Sequence, residues 1–130
     1  MLLLDTDIVS FAFKRDSRAQ VYERHTAGSL VAISFMTLAE LYKWPLERGF
    51  SPERREKLEE FIRSMVVLPA DSSLAQQWAE LMVDLKRKGY AVSFPDSWVA
   101  ATALRHHLPL VTHNRKHFEH IPGLTLISES

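Results

Sequence analysis

Several common features are missing from this chain of 130 residues, and each absence narrows its interpretation. The chain has no cysteine, so neither a disulfide framework nor a cysteine-ligated metal site is possible. No apolar run approaches the roughly 20 residues that span a membrane, and the opening Leu2–Leu4 run is too short for a signal peptide. We therefore expect a cytoplasmic protein with no membrane partner.

An excess of charge of either sign is also absent, because 16 basic side chains balance 16 acidic ones. A strongly basic chain would have indicated nucleic-acid binding. Neutrality does not exclude it, since a local patch of lysine and arginine is enough to contact phosphates. Acids clustered in one site would offset the charge of such a patch, so that the net charge of the chain stays near zero. With no repeat or low-complexity tract, we expect residues 1–130 to form a single domain.

Short apolar runs alternate with amphipathic segments along the chain. The runs at residues 2–4, 30–33, 65–69, 108–112 and 124–127 predict five strands. The segments between them predict helices, with a break near Asp16–Ser17, and Trp44 lies beside a proline, Pro45, that is expected to end its helix. Three of the strands are apolar on both faces, which is typical of a parallel sheet covered by helices on both sides.

Carboxylates occur where predicted strands end and helices begin. Asp5 and Asp7 follow the first strand, Glu40 lies in the helix after the second, and Asp96 opens the helix that leads into the fourth. In parallel α/β sheets, ligands bind beyond the carboxyl ends of the strands. Converging carboxylates repel one another and need a cation, and hard cations such as Mg²⁺ and Mn²⁺ take oxygen ligands. The pattern therefore indicates a metal-dependent nuclease.

Each acid also has a structural interpretation. Asp5 suits a helix N-cap, and Asp7 suits a first helical turn, where it complements the helix dipole. The pairs Thr37–Glu40 and Ser93–Asp96 imitate capping boxes. No single acid indicates catalysis, but the set of acids does.

Four stretches carry a more specific signal. They are LLLDTDIVS at 2–10, VAISFMTLAEL at 31–41, FPDSWVAATAL at 94–104 and LVTHNRKHFEHIPGL at 110–124. In this order and spacing they resemble the PIN-domain family and, within it, the VapC-like toxin ribonucleases of type II toxin–antitoxin pairs. The resemblance implies an α/β fold, a PIN-like three-layer α/β/α sandwich with a central parallel sheet of about five strands. It also implies a Mg²⁺- or Mn²⁺-dependent endoribonuclease that acts on RNA, forms a homodimer and is held inactive by a cognate antitoxin protein.

The resemblance places the catalytic, metal-binding acids of the family on Asp5, Glu40 and Asp96. Asp7 stands where many members have asparagine, and the fourth acid of the family falls on Asn114 or His117. Neither of these supplies carboxylate charge, so Asp7, Asn114 and His117 are weaker candidates for metal ligands.

Polar and basic residues beside these acids are candidates for contact with substrate. The candidates for substrate binding or for support of the acids are Thr6, Ser34, Thr112 and Arg115. Further cations that would neutralise phosphates are Lys14, Arg15, Arg18, Lys43, Arg48 and Lys116. An ordinary solvated surface explains most of these cations equally well.

Two other functions stay open. A PIN-like domain with a weakened site would bind RNA or protein without cleavage, and His117 motivates that alternative. Asp5 and Asp7 also form the Asp-x-Asp opening of haloacid-dehalogenase-type phosphatases, in which the first aspartate is the nucleophile. That class needs an aspartate pair after a later strand, where this chain has Thr112–Asn114.

A cluster of three histidines suggests a different metal site. His113, His117 and His120 are spaced by four and three residues, which would place them on one helix face. A zinc site would require all three to converge. The segment has room only for a short turn before Pro122, so polar surface is the favoured interpretation.

Overall fold

The computed structural model describes all 130 residues, and its centre is a five-stranded sheet. The strands are β1 (Leu2–Leu4), β2 (Val31–Ile33), β3 (Val66–Val67), β4 (Leu110–Val111) and β5 (Leu126–Ile127). They lie in the order β3-β2-β1-β4-β5, and every neighbouring pair is parallel. The predicted parallel sheet is confirmed, with β1 at its centre.

Seven helices connect the strands. They are α1 (Thr6–Lys14), α2 (Arg18–Thr26), α3 (Phe35–Arg48), α4 (Pro52–Arg63), α5 (Ser72–Lys88), α6 (Phe94–His106) and α7 (Arg115–Phe118). The predicted break near Asp16–Ser17 separates α1 from α2, and Arg15 there adopts a left-handed backbone with φ of 56°. No helix is both long and apolar enough to cross a bilayer.

Successive side chains of β1 enter two different cores, because side chains alternate between the faces of a sheet. Leu3 is fully buried in a cluster of 13 residues that includes Ala100 of α6. Leu4 lies in a second cluster of 11 residues, with Ile8 of α1 and Leu58 of α4. Helices therefore cover both faces of the sheet, which is the predicted three-layer α/β/α sandwich.

The course of α3 corrects one prediction. The sequence predicts that Pro45 ends this helix, but α3 continues through it to Arg48 and ends at Gly49, whose φ is 61°. A proline inside a helix removes one backbone hydrogen bond and costs stability. Pro45 is buried, and the ring of Trp44 beside it packs against that of Phe13 at a centroid distance of 5.9 Å. Tertiary packing thus offsets the missing hydrogen bond.

The carboxyl ends of β1, β2 and β4 meet at one edge of the sheet. Asp5, Ser34 and Thr112 directly follow these strands, and all three are buried. Asp5 and Ser34 are also the N-caps of α1 and α3. Because buried polar groups need hydrogen-bond partners, the bonds made here define the geometry of this edge.

Candidate active site

Asp5 is the most buried acid at this edge, with 6% of its surface exposed. One carboxylate oxygen accepts a hydrogen bond from the backbone N–H of Thr6, and the other accepts one from the Thr112 hydroxyl, each at 2.8 Å. Burial, followed by the charge of Asp7, raises the pKa of Asp5 from 3.8 to about 7. Its negative charge is therefore unfavourable in the folded protein unless a cation is close by.

Asp7 connects α1 to the loop after β4. Its Oδ2 accepts hydrogen bonds from the backbone N–H of His113 at 3.0 Å and from the side-chain amide of Asn114 at 2.9 Å. Burial raises the pKa of Asp7, and the charge of Asp96 raises it further. Asp7 is thus in the first turn of α1, as predicted, and is also part of the acidic cluster.

A relay of hydroxyl groups ends at Glu40. The Thr6 hydroxyl donates to Oε1 of Glu40 at 2.8 Å, and the Thr6 and Thr37 hydroxyls lie 3.0 Å apart. Because the Thr6 hydroxyl donates its single proton to Glu40, the Thr37 hydroxyl is the donor in the Thr37–Thr6 bond. The Ser34 hydroxyl in turn donates to Thr37 at 3.3 Å. The three hydroxyl groups therefore point the same way along the relay and orient the Glu40 carboxylate.

Asp96 completes the set from the first turn of α6. Its backbone N–H donates to the hydroxyl of the N-cap Ser93 at 3.3 Å. This capping bond does not use the carboxylate of Asp96, which is available for other contacts. Oδ2 of Asp96 lies 3.1 Å from Nδ1 of His117, whose side chain is 57% exposed. The charge of Asp96 contributes to the raised pKa values of Asp5 and Asp7, so these three aspartates share one electrostatic site.

The donor set of this site suits a hard divalent cation. Asp5, Asp7 and Asp96 offer carboxylate oxygens whose mutual repulsion a cation would remove. As the side chains stand, no group of three or more histidine, aspartate or glutamate side chains is arranged to hold one ion. Mg²⁺ generally keeps several waters and uses only one or two protein carboxylates. The residues therefore fit such an ion, with water as the remaining ligand.

The predicted supporting residues divide into two groups. Thr6, Ser34 and Thr112 all belong to the hydrogen-bond network of the acids. Arg115 does not, because its guanidinium is directed to the backbone carbonyl of Ser128 at 3.4 Å. Three of the four candidates therefore lie at the acids, and the fourth lies against the C-terminal segment.

The three histidines do not converge. His113 bonds to the Tyr22 hydroxyl at 2.6 Å, whereas His117 bonds to Asp96. His120 lies 3.1 Å from the carbonyl oxygen of Ala91. Helix α7 covers only Arg115–Phe118, too short to align them, and the shared histidine site is absent.

Two contributions to the site were not foreseen in the sequence. Thr37 is fully buried and lies in the middle of the hydroxyl relay, whereas its sequence signals, Ser34 before it and Glu40 after it, indicated only helix capping. Tyr22 holds the His113 ring in place and accepts a hydrogen bond from the backbone N–H of Glu129 at 3.0 Å. No local pattern links these residues, which lie 91 and 107 positions from Tyr22.

The chain is similar to proteins with names that describe RNA cleavage. The tRNA(fMet)-specific endonuclease VapC of Salmonella typhimurium is 33% identical over 126 residues, which cover 95% of this chain and 94% of that protein. Ribonuclease VapC2 of Rickettsia felis is 29% identical over 126 residues, with the same 95% and 94% coverage.

Solved structures share the fold. VapBC2 from Rickettsia felis, bound to a DNA fragment from its promoter, aligns with a TM-score of 0.85 and 27% identity over 98% of this chain and 97% of that chain. DNA-bound VapBC from Salmonella typhimurium aligns with a TM-score of 0.83 and 30% identity over 98% of each chain. Residues 2–124 match the PIN domain, and with this fold and these relatives the chain belongs to the PIN-domain family.

Proposed function

We propose that this protein is a metal-dependent endoribonuclease, with residues 1–130 acting as one domain, and the toxin of a toxin–antitoxin pair. The observation that carries the proposal is the shared electrostatic site of Asp5, Asp7 and Asp96 at the carboxyl edge of the sheet. The names of the relatives support RNA as the substrate. Because such an enzyme meets its RNA inside the cell, we place it in the cytoplasm.

The catalytic residues in this proposal are Asp5, Glu40 and Asp96, and the ion is Mg²⁺ or Mn²⁺. An ion held by these carboxylates would polarise the scissile phosphodiester and lower the pKa of the attacking water. Asp5 is fixed on both carboxylate oxygens, and Glu40 is oriented by the Thr6 hydroxyl. These restraints hold two of the three carboxylates in position before substrate arrives, which reduces the reorganisation needed during the reaction.

The neighbouring polar residues have supporting roles in this proposal. Asp7, Asn114 and His117 are auxiliary ligands to the ion or to its waters. Thr6, Ser34, Thr112 and Arg115 support the acids or contact the RNA.

The direct test is cleavage of RNA in Mg²⁺, in Mn²⁺ and in EDTA, and tRNA is the first substrate to try, since one relative is named for it. We expect cleavage that requires the ion and is lost in both Asp5→Asn and Asp96→Asn. Asp84→Asn is the matched control, because Asp84 is an exposed acid that pairs with Lys88 on α5. Equal cleavage by the wild type and both site variants would contradict the assigned site.

A second candidate function is RNA binding without cleavage. It is favoured by one observation: Asp96 and Asp7 adjoin His117 and Asn114 rather than a further carboxylate. This candidate predicts tight RNA binding and no metal-dependent turnover even at high protein concentration.

The phosphatase interpretation has no support, because the residues after β4 are Thr112–Asn114 and lack the required aspartate pair.

The antitoxin is proposed as a protein partner, since the similar solved structures include VapBC toxin–antitoxin assemblies. A groove of about 400 Å³ between α1, α2 and α4 offers a partly apolar surface. It is lined by apolar residues that include Ile8, Ala12, Ala19, Phe61 and Met65. We expect the product of an adjacent small gene to co-purify with the wild type. Ala12→Glu should lose that partner and keep nuclease activity.

Homodimer formation is also proposed. Phe35 and Phe94 are 54% and 61% exposed, and Phe35 adjoins an apolar hollow lined by Met36 and Trp98. A second copy of the chain would cover this apolar surface. Light scattering should report a dimer for the wild type and a monomer for the double variant Phe35→Glu/Phe94→Glu. Leu46→Glu is the control, since Leu46 is 73% exposed and lies outside the hollow.

A further inference from the structure

A cleft of about 290 Å³ begins beside the acids and lies between α1 and α3. Asp7 and Lys14 line it on α1, and Glu40, Trp44 and Arg48 line it on α3. Residues seven or eight positions apart share a helix face and are separated by about 10 to 12 Å along the axis. The cleft is therefore acidic at the end next to the active site, and at the other end three cations, Lys14, Lys43 and Arg48, outnumber one acid, Glu47.

The ring of Trp44 organises the basic end. Nζ of Lys14 lies 4.7 Å from the ring centroid, and Cζ of Arg48 lies 5.7 Å from it. The ring itself is held by Phe13 and Phe50, at centroid distances of 5.9 and 5.7 Å. Two cations are thus gathered on one aromatic side chain that the core keeps in place.

These two cations have no acidic partner. Lys14 and Arg48 form no salt bridge, whereas the third cation of the cleft, Lys43, has its ammonium 3.8 Å from Glu47. Because neither Lys14 nor Arg48 is paired with a carboxylate, both are available to an anion from outside the protein. Since the acidic end is assigned to a scissile phosphodiester, the next anion along the same strand is another phosphate.

We propose that Lys14 and Arg48, held by Trp44, bind a phosphate of the RNA substrate one or two nucleotides from the scissile bond. This subsite rests on the proposed endoribonuclease function. It sets the path of the strand, because the RNA must run from the acids along the cleft between α1 and α3. Lys14 and Arg48 bind substrate, and Trp44 is a positioning residue that acts through them.

The test measures RNA binding without cleavage, by fluorescence anisotropy of a labelled single-stranded RNA in EDTA at several salt concentrations. We expect Lys14→Gln and Arg48→Gln each to weaken binding about three- to tenfold. The double variant should reduce the slope of log affinity against log salt by about 0.7, the value for one phosphate contact on a single strand, and each single variant should reduce it by part of that. Lys86→Gln and Arg87→Gln are matched controls on the exposed end of α5, across the sheet, and should bind like the wild type.

Trp44→Phe separates positioning from charge. It keeps both cations and an aromatic ring, so the salt slope should stay that of the wild type while affinity falls two- to fourfold. With saturating Mg²⁺, Lys14→Gln and Arg48→Gln should raise KM and leave kcat nearly unchanged, because their contact exists in both the ground state and the transition state.

The possible outcomes distinguish this subsite from the nuclease function. If the wild type cleaves RNA and both cleft variants keep its salt slope and KM, the subsite is wrong and the nuclease function stands. If RNA binds with the expected slope changes but is never cleaved, the subsite stands and the nuclease function fails. If the wild type binds RNA neither in EDTA nor in Mg²⁺ and cleaves none, both proposals are overturned.

Discussion

On one side of the proposed active site, the carboxylates of Asp5 and Glu40, which follow β1 and β2, are held by the backbone N–H of Thr6 and by the hydroxyl groups of Thr6 and Thr112. On the β4 side, Asp96 meets the exposed ring of His117, and Asn114 donates to Asp7. The groups that hold the first side are mostly buried, whereas the partners of the acids on the second side, His117 and Asn114, are exposed. The comparison suggests that the first side sets the position of the reacting groups, whereas the second adjusts the charge and affinity of the site.

The largest expected loss of activity comes from a substitution on the anchored side, where Asp5 and Glu40 lie. Asp5→Asn removes the most buried carboxylate and the charge that would hold the ion, while Asn can still accept from the Thr6 N–H. Loss of several kcal/mol of transition-state stabilisation corresponds to a fall in kcat/KM of about 10²- to 10³-fold. Single-turnover cleavage of a labelled RNA would measure it. A fall below tenfold would show that the anchored side does not set the chemistry.

The pH dependence of protein stability measures how unfavourable it is to bury the ionised carboxylate of Asp5. The pKa of Asp5 is about 7 in the folded protein and 3.8 as an ordinary side chain, so the folded state binds the proton more tightly. Stability from this group is complete below pH 3.8 and is lost as pH rises through 7. In EDTA, the free energy of unfolding should therefore fall by about 2 to 3 kcal/mol between pH 5 and pH 8.

Urea denaturation at the two pH values measures this fall, and Asp5→Asn is its control. The variant lacks the titrating group, so its stability should change less between pH 5 and pH 8. Added Mg²⁺ should restore stability to the wild type at pH 8, because the ion favours the ionised carboxylate. A wild-type protein that is equally stable at both pH values in EDTA would contradict the raised pKa.

On the exposed side, a substitution at His117 is expected to strengthen metal binding rather than to weaken activity. His117→Asp places a carboxylate next to Asp96, where a histidine now stands 3.1 Å away. We expect about tenfold tighter binding of Mn²⁺, since a further negative oxygen ligand favours a hard cation. Isothermal titration calorimetry measures this affinity directly, and Lys116→Asp is the control for a change of charge alone. Equal gains in the two variants would remove any special role for position 117.

The same contrast explains which parts of the site are predictable from sequence. Asp5 directly follows a buried strand, and Glu40 and Asp96 lie near the starts of helices that leave or enter neighbouring strands. Local patterns plus the geometry of a parallel sheet were therefore enough to bring these acids to one edge. The fold was predicted on the same basis, because apolar runs and helix caps are local signals.

The remaining features depend on tertiary packing and left no local signal. Tyr22 meets His113 across 91 positions of sequence, and the Thr6–Thr37 bond of the hydroxyl relay crosses 31. Pro45 was predicted to end α3, but burial of the proline and packing of the partly buried Trp44 against Phe13 keep the helix intact. In each case a contact between distant residues decides the outcome, and a pattern of neighbouring residues cannot show it.

Interruption of the hydroxyl relay should reduce stability and kcat moderately. Thr37→Val keeps the shape of a fully buried side chain and removes the hydroxyl that donates to Thr6. The variant loses two buried hydrogen bonds, the one to Thr6 and the one from Ser34, which together correspond to about 2 kcal/mol of stability. We expect kcat to fall about fivefold, because Glu40 loses part of its orientation. Thr102→Val is the control, since its buried hydroxyl bonds only to the Trp98 carbonyl on α6. An unchanged kcat in Thr37→Val would separate the relay from catalysis.

The smallest effect is expected from the matching substitution on the exposed side. Tyr22→Phe removes the hydroxyl that bonds to His113 and to the backbone of Glu129, and keeps the buried ring. It should cost about 2 kcal/mol of stability, as for Thr37→Val, because two hydrogen bonds are lost in each variant. Activity should fall less than twofold, because the backbone N–H of His113 can still donate to Asp7 without the tyrosine. Equal stability losses with unequal losses in kcat would show that the anchored side sets the geometry of catalysis. A larger loss of kcat in Tyr22→Phe than in Thr37→Val would reverse the comparison and make the β4 loop the side that positions the reacting groups.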